Sequence, residues 1–356
     1  MIDHEPETDR YTPGGASVTI TDVAAAAGVS IRTVSRVLNG SPKVGKETRQ
    51  EIQGHIDRLG FRPNSRARGL AAGRSFLIGV VQDDPNAHVI SVFQRGIVEI
   101  CSQQGYELVV HPSGYDDPDV IRNVQDFAQR SRVDGIILLP PLSELEGLAV
   151  ALREIQLPAV AMASVRIPAH PVMLVSDERG AAAALADHLV ALGHRRIGIV
   201  TGPMRFRSAA ERLVGFRDAL ARHGIALPDD HVREGDYGFV SGVEAGRKLL
   251  ALSDPPTAIF ASNDNMAAGV MKAANLAGIA VPAGVSVVGF DDSDIAGMMI
   301  PALSTIRRPL AEMARSATER LLRMINRGDP AMEDESIDLH LIERDSVAPA
   351  PAAQPR

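Results

Sequence analysis

The sequence has a single cysteine and no tryptophan among its 356 residues, and aromatic residues make up only 4%. One cysteine cannot form an intrachain disulfide, and Cys101 lies in a helical run, where we expect it to fill a core. Cysteine-rich metal sites are excluded for the same reason. No apolar run approaches the roughly 18 residues that span a bilayer, and the acidic residues 1–5 have the wrong charge for a signal peptide. We therefore expect a soluble cytoplasmic protein with no membrane partner, no metal and no cofactor.

The sequence also lacks the motifs of common α/β enzymes. It contains no Gly-x-Ser-x-Gly elbow, no phosphate loop ending in Gly-Lys-Ser or Gly-Lys-Thr, and no Gly-x-Gly-x-x-Gly dinucleotide motif. A hydrolase or a nucleotide-dependent kinase on an α/β scaffold is therefore only a remote alternative, and we expect no enzymatic activity. A transport binding protein would need a signal peptide and would have no use for the basic region described next.

Acidic residues outnumber basic ones and give a net charge of −7, but the charge is unevenly distributed. Residues 18–75 contain ten Lys and Arg against four Asp and Glu, a net charge of +6, whereas residues 76–356 carry −10. A basic N-terminal region on an acidic body predicts that only the basic region approaches a polyanion.

Two short helices separated by a tight turn are predicted between residues 19 and 39. Thr19-Ile-Thr-Asp22 predicts a capping box at the start of the first helix, and glycine at position 28 permits the turn. Ser30 is placed to cap the second helix, whose Ile31, Val34 and Leu38 at i, i+3 and i+7 are expected to be buried together. The outward-facing polar residues are of types that bind base edges and phosphates: Arg32, Thr33, Ser35, Arg36 and Asn39. Taken alone, the pattern also fits a helical hairpin inside a larger core.

A third helix is predicted from about residue 47 to 59, with Ile52, Ile56 and Leu59 on one face and Gly45 at its cap. Residues 64–72 could form one more short, basic helix. About nine residues are too few for an isolated helix in water, and Gly69 weakens it further. Such a helix would need DNA to fold, and the alternative is an ordinary charged linker.

The residues of this N-terminal region carry a family resemblance. Residues 18–24, 28–30 and 33–40 (Val-Thr-Ile-Thr-Asp-Val-Ala, Gly-Val-Ser and Thr-Val-Ser-Arg-Val-Leu-Asn-Gly) resemble the signature of the LacI family of bacterial transcription repressors. The resemblance implies that Ile31, Arg32 and Arg36 read bases, since arginine can bond guanine O6 and N7. It implies phosphate contacts at Thr19, Ser30, Thr33, Ser35 and Asn39, and a hinge helix that meets the minor groove through Asn64, Ala67 and Leu70. It also implies a homodimer that binds a palindromic operator in double-stranded DNA.

From residue 76 onward, short apolar runs alternate with amphipathic stretches. The runs predicted as strands are residues 76–81, 106–110, 135–139, 159–163, 172–176, 196–201, 258–262 and 285–290. Buried strands that alternate with helices predict parallel sheets wound on both faces. This region is too long for one such sheet and fits two lobes with a cleft between them.

Several motifs here resemble the sensor of the LacI family, including Leu192-Gly-His-Arg-Arg-Ile-Gly198, Phe260-Ala-Ser-Asn-Asp264 and Val285-Ser-Val-Val-Gly-Phe-Asp-Asp292. The resemblance implies the fold of periplasmic sugar-binding proteins, in which a small ligand closes the cleft. The predicted fold class is thus an all-α helix-turn-helix domain followed by an α/β sensor of two doubly wound parallel-sheet lobes.

The predicted domains are a disordered tail (1–17), the helix-turn-helix domain (18–63), a hinge helix or linker (64–74), the sensor (75–345) and a second disordered tail (346–356). One lobe is expected to comprise residues 75–175 plus 307–330, and the other residues 176–306. The C-terminal tail has no leucine heptads, so no tetramerising coiled coil is expected.

Polar residues follow the predicted strands, at the edge where ligands bind in doubly wound sheets. Asp83 is a candidate on that ground, although Asp and Asn at such places also cap the next helix. The resemblance adds the effector-binding candidates Arg212, Tyr237, Asn263, Asp291 and Arg308, with Arg207 and His88 as weaker ones. Two departures matter: Ala163 stands where relatives often have aspartate, and Val89 and Ile90 stand where many have paired aromatics.

These features predict a sequence-specific DNA-binding transcriptional regulator, a repressor of carbohydrate-utilisation genes. Its operator affinity would be controlled by a small, sugar-like effector in the cleft between the lobes. A purine- or corepressor-responsive regulator of the same family is the alternative, because the missing carboxylate at position 163 leaves the ligand class open.

Overall fold

The computed structural model describes residues 18–38, 41–61, 73–83, 87–327 and 333–351. The chain divides into two compact units, Met1–Ser75 and Phe76–Arg356, which we call the head and the sensor. The predicted DNA contacts Asn39, Asn64, Ala67 and Leu70 lie outside the described residues, as do the tail 1–17 and most of the hinge. No helix in the described part of the chain is long and apolar enough to cross a membrane.

The head contains three helices, α1 (Ile20–Ala26), α2 (Ile31–Leu38) and α3 (Lys46–Leu59). The predicted capping box is confirmed: Thr19 N donates to Asp22 Oδ2 at 2.8 Å, and Asp22 N donates to Thr19 Oγ1 at 3.4 Å. Ser30 Oγ accepts from Thr33 N at 3.2 Å and so caps α2 as expected. The turn between the two helices uses glycine at position 28 with φ of 63°, the left-handed region that favours this residue.

The core of the head confirms the predicted burial of Val34, Ile52 and Ile56 and adds Val37, which was not predicted, while Leu38 and Leu59 pack half-buried against it. Val34 and Val37 of α2 pack with Ile52 and Ile56 of α3, all at most 6% exposed. Ile31 is 48% exposed, so the prediction that it is buried with Val34 was wrong. The reason is angular: successive residues turn by about 100°, which places residues 31 and 37 on opposite sides of Val34, and the core lies on the side of residue 37.

The first lobe of the sensor is built on a six-stranded, parallel sheet with the order β11-β5-β4-β3-β1-β2. Its strands are β1 (Leu77–Gln82), β2 (Glu107–Pro112), β3 (Gly135–Leu138), β4 (Ala159–Ala163), β5 (Met173–Ser176) and β11 (Glu335–Ile337). Helices α4 (Ala87–Gln104) and α12 (Leu310–Arg327) cover one face, and α5 (Val120–Ser131) and α6 (Glu146–Glu154) cover the other. Cys101 is buried in this lobe, and burial raises the pKa of its thiol to about 12.

The second lobe has the sheet order β12-β10-β9-β8-β6-β7, in which only β12 is antiparallel to its neighbour. Its strands are β6 (Ile197–Thr201), β7 (Val232–Glu234), β8 (Ala258–Ala261), β9 (Ser286–Asp291), β10 (Ser304–Arg307) and β12 (His340–Ile342). Helices α7 (Glu178–Ala191) and α8 (Arg207–Arg222) cover one face, and α9 (Phe239–Leu250) and α10 (Asp264–Leu276) cover the other. The short helix α11 (Asp294–Met298) follows β9. The predicted fold class is confirmed.

The chain crosses between the lobes again near its C-terminus, beyond the predicted lobe boundaries. All eight predicted strands form, with ends within two residues of those expected, but four strands were not predicted: β10, and the shorter β7, β11 and β12. β10 has four residues and each of the other three has three, too few to show a period. β11 joins the first lobe and β12 the second, so both sheets are completed from the end of the chain.

The C-terminal tail is ordered where the structure describes it, so its predicted disorder was wrong for residues 346–351. Ser346 is fully buried, donates from Oγ to Val287 O at 2.6 Å and accepts from Ser304 N at 2.8 Å. His194 Nε2 lies 3.0 Å from Ala348 O. The proline- and alanine-rich composition resembled a linker, but these polar groups find partners in the second lobe, which the composition does not reveal.

Candidate functional site

The exposed surface of α2 carries the residues predicted to read DNA. Ile31 and Arg32 are exposed, while Thr33, Ser35 and Arg36 are half-buried. Among the described residues, no carboxylate lies within ion-pair distance of either arginine, so both guanidinium groups lack a competing acidic partner there. Ser30 Oγ also lies 2.8 Å from Thr33 Oγ1, so both hydroxyls already take part in the helix cap.

Arg49 of α3 has a structural role in the same unit. It donates from Nη2 to Ser41 O at 2.6 Å and from Nη1 to Val37 O at 3.4 Å. These bonds hold the chain that leaves α2 against α3. The basic charge of the head is therefore divided between a structural arginine and the arginines of the exposed helix surface.

In the sensor, all six predicted effector residues line one cavity between the two lobes. Its empty space measures about 680 Å³, including the part open to solvent. Five of the six lie at or just beyond the carboxyl end of a strand, where loops of both lobes converge, and Arg212 comes from helix α8. The residues that line it are Asp83, Val89, Phe93, Leu139, Pro140, Pro141, Ser164, Glu178, Phe206, Ser208, Arg212, Tyr237, Asn263, Asp291 and Arg308.

Glu178, which the sequence reasoning missed, is at the centre of the charged groups. It begins α7 just after the helix cap, where Asp177 Oδ1 accepts from the N–H of residue 180 at 2.8 Å. Glu178 Oε2 accepts a hydrogen bond from Arg212 Nε, and Arg308 Nε lies 3.6 Å from Oε1. Burial alone would raise the pKa of Glu178, but the charges of the two arginines outweigh it and hold this pKa below its ordinary value.

Two arginines and two carboxylates thus form one buried network. Arg308 Nη1 lies 3.1 Å from Asp291 Oδ1. Arg212 also donates to Ser262 O, and its guanidinium lies 3.6 Å from the centre of the Phe290 ring. The four charges balance, so the network adds no net charge to the cavity.

Backbone strain accompanies this network. Asp291 and Tyr237 have φ of 112° and 68°, which side-chain-bearing residues rarely adopt. Such values persist only where surrounding contacts enforce them, and they concentrate at binding sites.

The remaining predicted residues are also held in place by hydrogen bonds. Asn263 Oδ1 caps α10 by accepting from Met266 N at 2.9 Å, and Nδ2 donates to Tyr237 O at 2.9 Å. The capping role that the sequence left open is therefore real for Asn263, although the residue also lines the cavity. Tyr237 Oη lies 3.3 Å from Ser208 Oγ, and Asp83 Oδ2 accepts from Tyr115 N at 2.5 Å.

The residues that depart from the family pattern, and the two weaker effector-binding candidates, differ in where they lie relative to the cavity. Ala163 is 2% exposed, packs in the core of the first lobe and does not line the cavity, which Ser164 does. Val89 lines it, without an aromatic ring. His88 Nδ1 lies 3.9 Å from Asp294 Oδ2 of the other lobe, which fits a contact between lobes. Arg207 is exposed and does not line the cavity.

Several lining residues had no signal of their own in the sequence. Phe206 ends the loop after β6 and Ser208 lies in the first turn of α8, neither within a motif, and Ser164 follows β4. Glu178 could have been found, because the strand that ends at Ser176 was predicted and the same carboxyl-end rule applies to it.

Comparison with known proteins places this arrangement in a family. Residues 19–64 match the family of bacterial regulatory proteins of the lacI type, and residues 186–347 match the periplasmic binding protein-like domain. The ribose operon repressor of Escherichia coli (strain K12) is 32% identical over 331 residues, which cover 92% of this chain and 99% of the relative. The protein belongs to the LacI family. It is a DNA-binding transcriptional regulator.

Two further relatives agree over nearly the whole length. The transcriptional repressor PurR of Klebsiella pneumoniae (strain 342) is 32% identical over 339 residues, covering 94% of this chain and 98% of that protein. The crystal structure of the Lac repressor dimer bound to operator and the anti-inducer ONPF is 30% identical. It has a TM-score of 0.77 and covers 93% of this LacI-family chain and 99% of that one.

Proposed function

We propose that this LacI-family protein is a homodimeric repressor whose operator affinity is controlled by a sugar-like effector bound between the two lobes. The observation that carries the proposal is the convergence of six candidate residues from both lobes on one cavity. A ligand held by both lobes favours one arrangement of them, and any difference in its affinity for two arrangements shifts their populations.

The chemistry of the cavity supports a polyhydroxylated effector. Asp291 and Arg308 offer hydrogen-bond acceptors and donors within 3.1 Å of each other, an arrangement that can bind neighbouring hydroxyl groups. The charges of the network cancel, so a neutral ligand leaves the balance intact. Similarity to a ribose operon repressor points the same way. The purine-responsive alternative rests on the PurR relative and on the parallel rings of Phe206 and Tyr237, whose centres lie 6.3 Å apart.

The same contacts favour regulation over catalysis. A general acid needs a pKa raised towards neutrality, whereas paired arginines lower that of Glu178. Among the described residues, no group of His, Cys, Asp and Glu could hold a metal ion. We therefore assign the cavity to effector binding.

A ligand screen tests the effector assignment. Purified protein is melted with mono- and disaccharides, sugar phosphates, nucleobases and nucleosides, and a compound at about 100 times its Kd should add roughly 2.7 kcal/mol. Asp291→Ala should abolish the shift, whereas Asp230→Ala, an exposed aspartate outside the cavity, should retain it. A shift that persists in Asp291→Ala contradicts the site, and a shift by purines alone favours the alternative.

The DNA assignment rests on Arg32 and Arg36 of α2, for which the described part of the chain provides no acidic partner. Arg36→Ala should remove about 1–3 kcal/mol of base discrimination, while salt-sensitive nonspecific binding remains. The measurement is a selection of binding sites with the intact protein, followed by titration of the selected and a scrambled duplex at two salt concentrations. Unchanged affinity of Arg36→Ala for the selected duplex contradicts the assignment.

A dimer is proposed because one helix-turn-helix reads only a few base pairs, and a two-fold pair reads a palindrome. Ile300 is 97% and Met298 76% exposed in the second lobe, a degree of apolar exposure that a second copy would cover. Ile300→Asp should shift the molar mass in light scattering from dimer to monomer, with no change expected for the exposed Glu146→Gln. A wild-type monomer at micromolar concentration contradicts the proposal.

A further inference from the structure

A buried carboxylate of the first lobe reaches a helix of the second. Glu144 ends a 3-10 turn (Leu142–Glu144) that follows β3, and it is 5% exposed. Its Oε1 accepts from Ser164 Oγ at 2.9 Å, within the first lobe. Its Oε2 accepts from Arg207 N at 3.2 Å, and this N–H belongs to the first residue of α8 in the second lobe.

Helix α8 has no cap from its own chain neighbours. The first N–H groups of any helix lack partners within the helix, and the residue at the N-cap position of α8 is Phe206, which makes no side-chain cap bond. The neighbouring helices α7 and α10 differ, since Asp177 and Asn263 cap them from the same position. For α8, an acceptor at the N-terminus comes from the opposite lobe.

The turn that carries Glu144 is fixed by buried hydrogen bonds. Ser143 Oγ donates to Met162 O at 2.5 Å, and His170 Nε2 lies 2.8 Å from Ser143 O. Burial raises the pKa of Glu144, while the bonds from Ser164 and Arg207 oppose that rise. The carboxyl group is therefore held in one place by its own lobe, and only the bond to Arg207 depends on the other.

The capped end of α8 is also the end that contributes to the cavity. Phe206, Ser208 and Arg212 all line it, and Ser164 lines it from the other side. The Phe206 ring packs edge-on against Tyr115 of the first lobe, with centres 5.4 Å apart. Glu144 thus lies directly behind Ser164 and joins one wall of the cavity to the opposite wall.

We propose that Glu144 is a positioning residue that caps α8 from the other lobe and so couples closure of the lobes to the placement of Phe206, Ser208 and Arg212. This inference rests on the proposed function, since these are residues assigned to the effector cavity. An effector that contacts Ser164 would influence the position of α8 through the buried carboxyl group of Glu144. The effector need not touch Glu144 itself.

Hydrogen exchange of the ligand-free, full-length protein tests the cap. In Glu144→Ala the backbone amides at the start of α8 should exchange about 5–30 times faster, the factor for loss of a helix cap. Glu144→Gln should stay within about threefold of wild type, because its amide can accept from Arg207 N and donate to Ser164 Oγ. Glu146→Ala is the matched control, an exposed glutamate two residues along the chain.

Exchange in β8 (Ala258–Ala261) distinguishes positioning from general loss of stability. Its amides should be unchanged in Glu144→Ala, and the radius of gyration should increase as the lobes separate. Equal exchange at the start of α8 in Glu144→Ala and Glu146→Ala overturns the inference, as does equal acceleration in β8. If Glu144→Ala does not fold, Glu144→Asp, which is too short to reach both partners, is judged by the same criteria.

The test needs no effector, so its outcome is separate from that of the ligand screen. Unchanged exchange overturns the role of Glu144 and leaves the cavity assignment standing. A screen without any shift counts against the cavity assignment and leaves the measured cap intact.

Discussion

Removing the charge of Glu178 should destabilise the sensor more than any surface charge does. Glu178→Gln keeps the shape of the side chain but leaves the side chains of Arg212 and Arg308, 4% and 10% exposed, with Asp291 as the only acidic partner in the network. The network then carries a net positive charge in a buried site. Breaking a buried ion pair in this way costs about 3–5 kcal/mol. Urea denaturation of the ligand-free protein measures it as a fall in midpoint at constant slope.

A second ion pair of the same type provides the control. Arg179 Nε lies 2.7 Å from Glu211 Oε2, but the arginine side chain is 53% exposed. Glu211→Gln should therefore cost no more than about 1 kcal/mol. The double substitution Glu178→Gln with Arg212→Met should recover part of the lost stability, because it leaves one buried arginine paired with Asp291. If Glu178→Gln costs no more than Glu211→Gln, burial does not set the strength of this network and the reasoning fails.

Three further changes have calculable outcomes. Thr19→Ala should destabilise the head by about 1 kcal/mol, and Thr21→Ala, exposed on the same helix, by much less; thermal melting compares them. Burial and the charge of a nearby aspartate raise the pKa of Asp264 from 3.8 to about 7. The folded state therefore binds this proton more strongly than the unfolded state does. Through Asp264 the protein loses up to about 4 kcal/mol of stability as pH rises from about 4 to 7. Asp264→Asn should remove this pH-dependent part of the stability, which urea titrations at several pH values measure. Parallel pH profiles of the wild type and Asp264→Asn would refute the prediction. Truncation after Asp345 should cost about 2–4 kcal/mol through lost buried hydrogen bonds and packing, and truncation after Pro351 much less.

The positions of the cavity residues could be predicted because they depend on short-range patterns. Apolar runs of five or six residues marked the strands, and in a parallel sheet their carboxyl ends meet at one edge. Asn263 and Asp291 therefore had to lie near one another once their neighbouring strands, β8 and β9, were located, whereas Asp83 follows a strand of the other sheet and meets them only across the cleft. Their roles as effector contacts remain predictions, since position alone does not identify a ligand.

The errors have a common physical origin in contacts between distant parts of the chain. Ile31 lies on the apolar side of its own helix, but the position of α3 decides which edge of that side is buried. Ser346 belongs to a segment of linker-like composition, and only its partners 42 and 59 residues away show that it is fixed. Helical periods and composition describe a segment by itself, so they cannot report such partners.

Glu144 and Glu178 extend this argument to effector specificity. Neither belongs to a motif that the sequence revealed, yet one accepts from the first amide of α8 and the other from Arg212, five residues further along the same helix. Both bonds are made from outside α8, so they fix its rotation and its distance from the first lobe. The placement of Ser208 and Arg212 in the cavity then depends on two carboxylates, only one of which lines it. We therefore predict that a substitution at position 144 can change the preferred effector with no change in the residues that line the cavity.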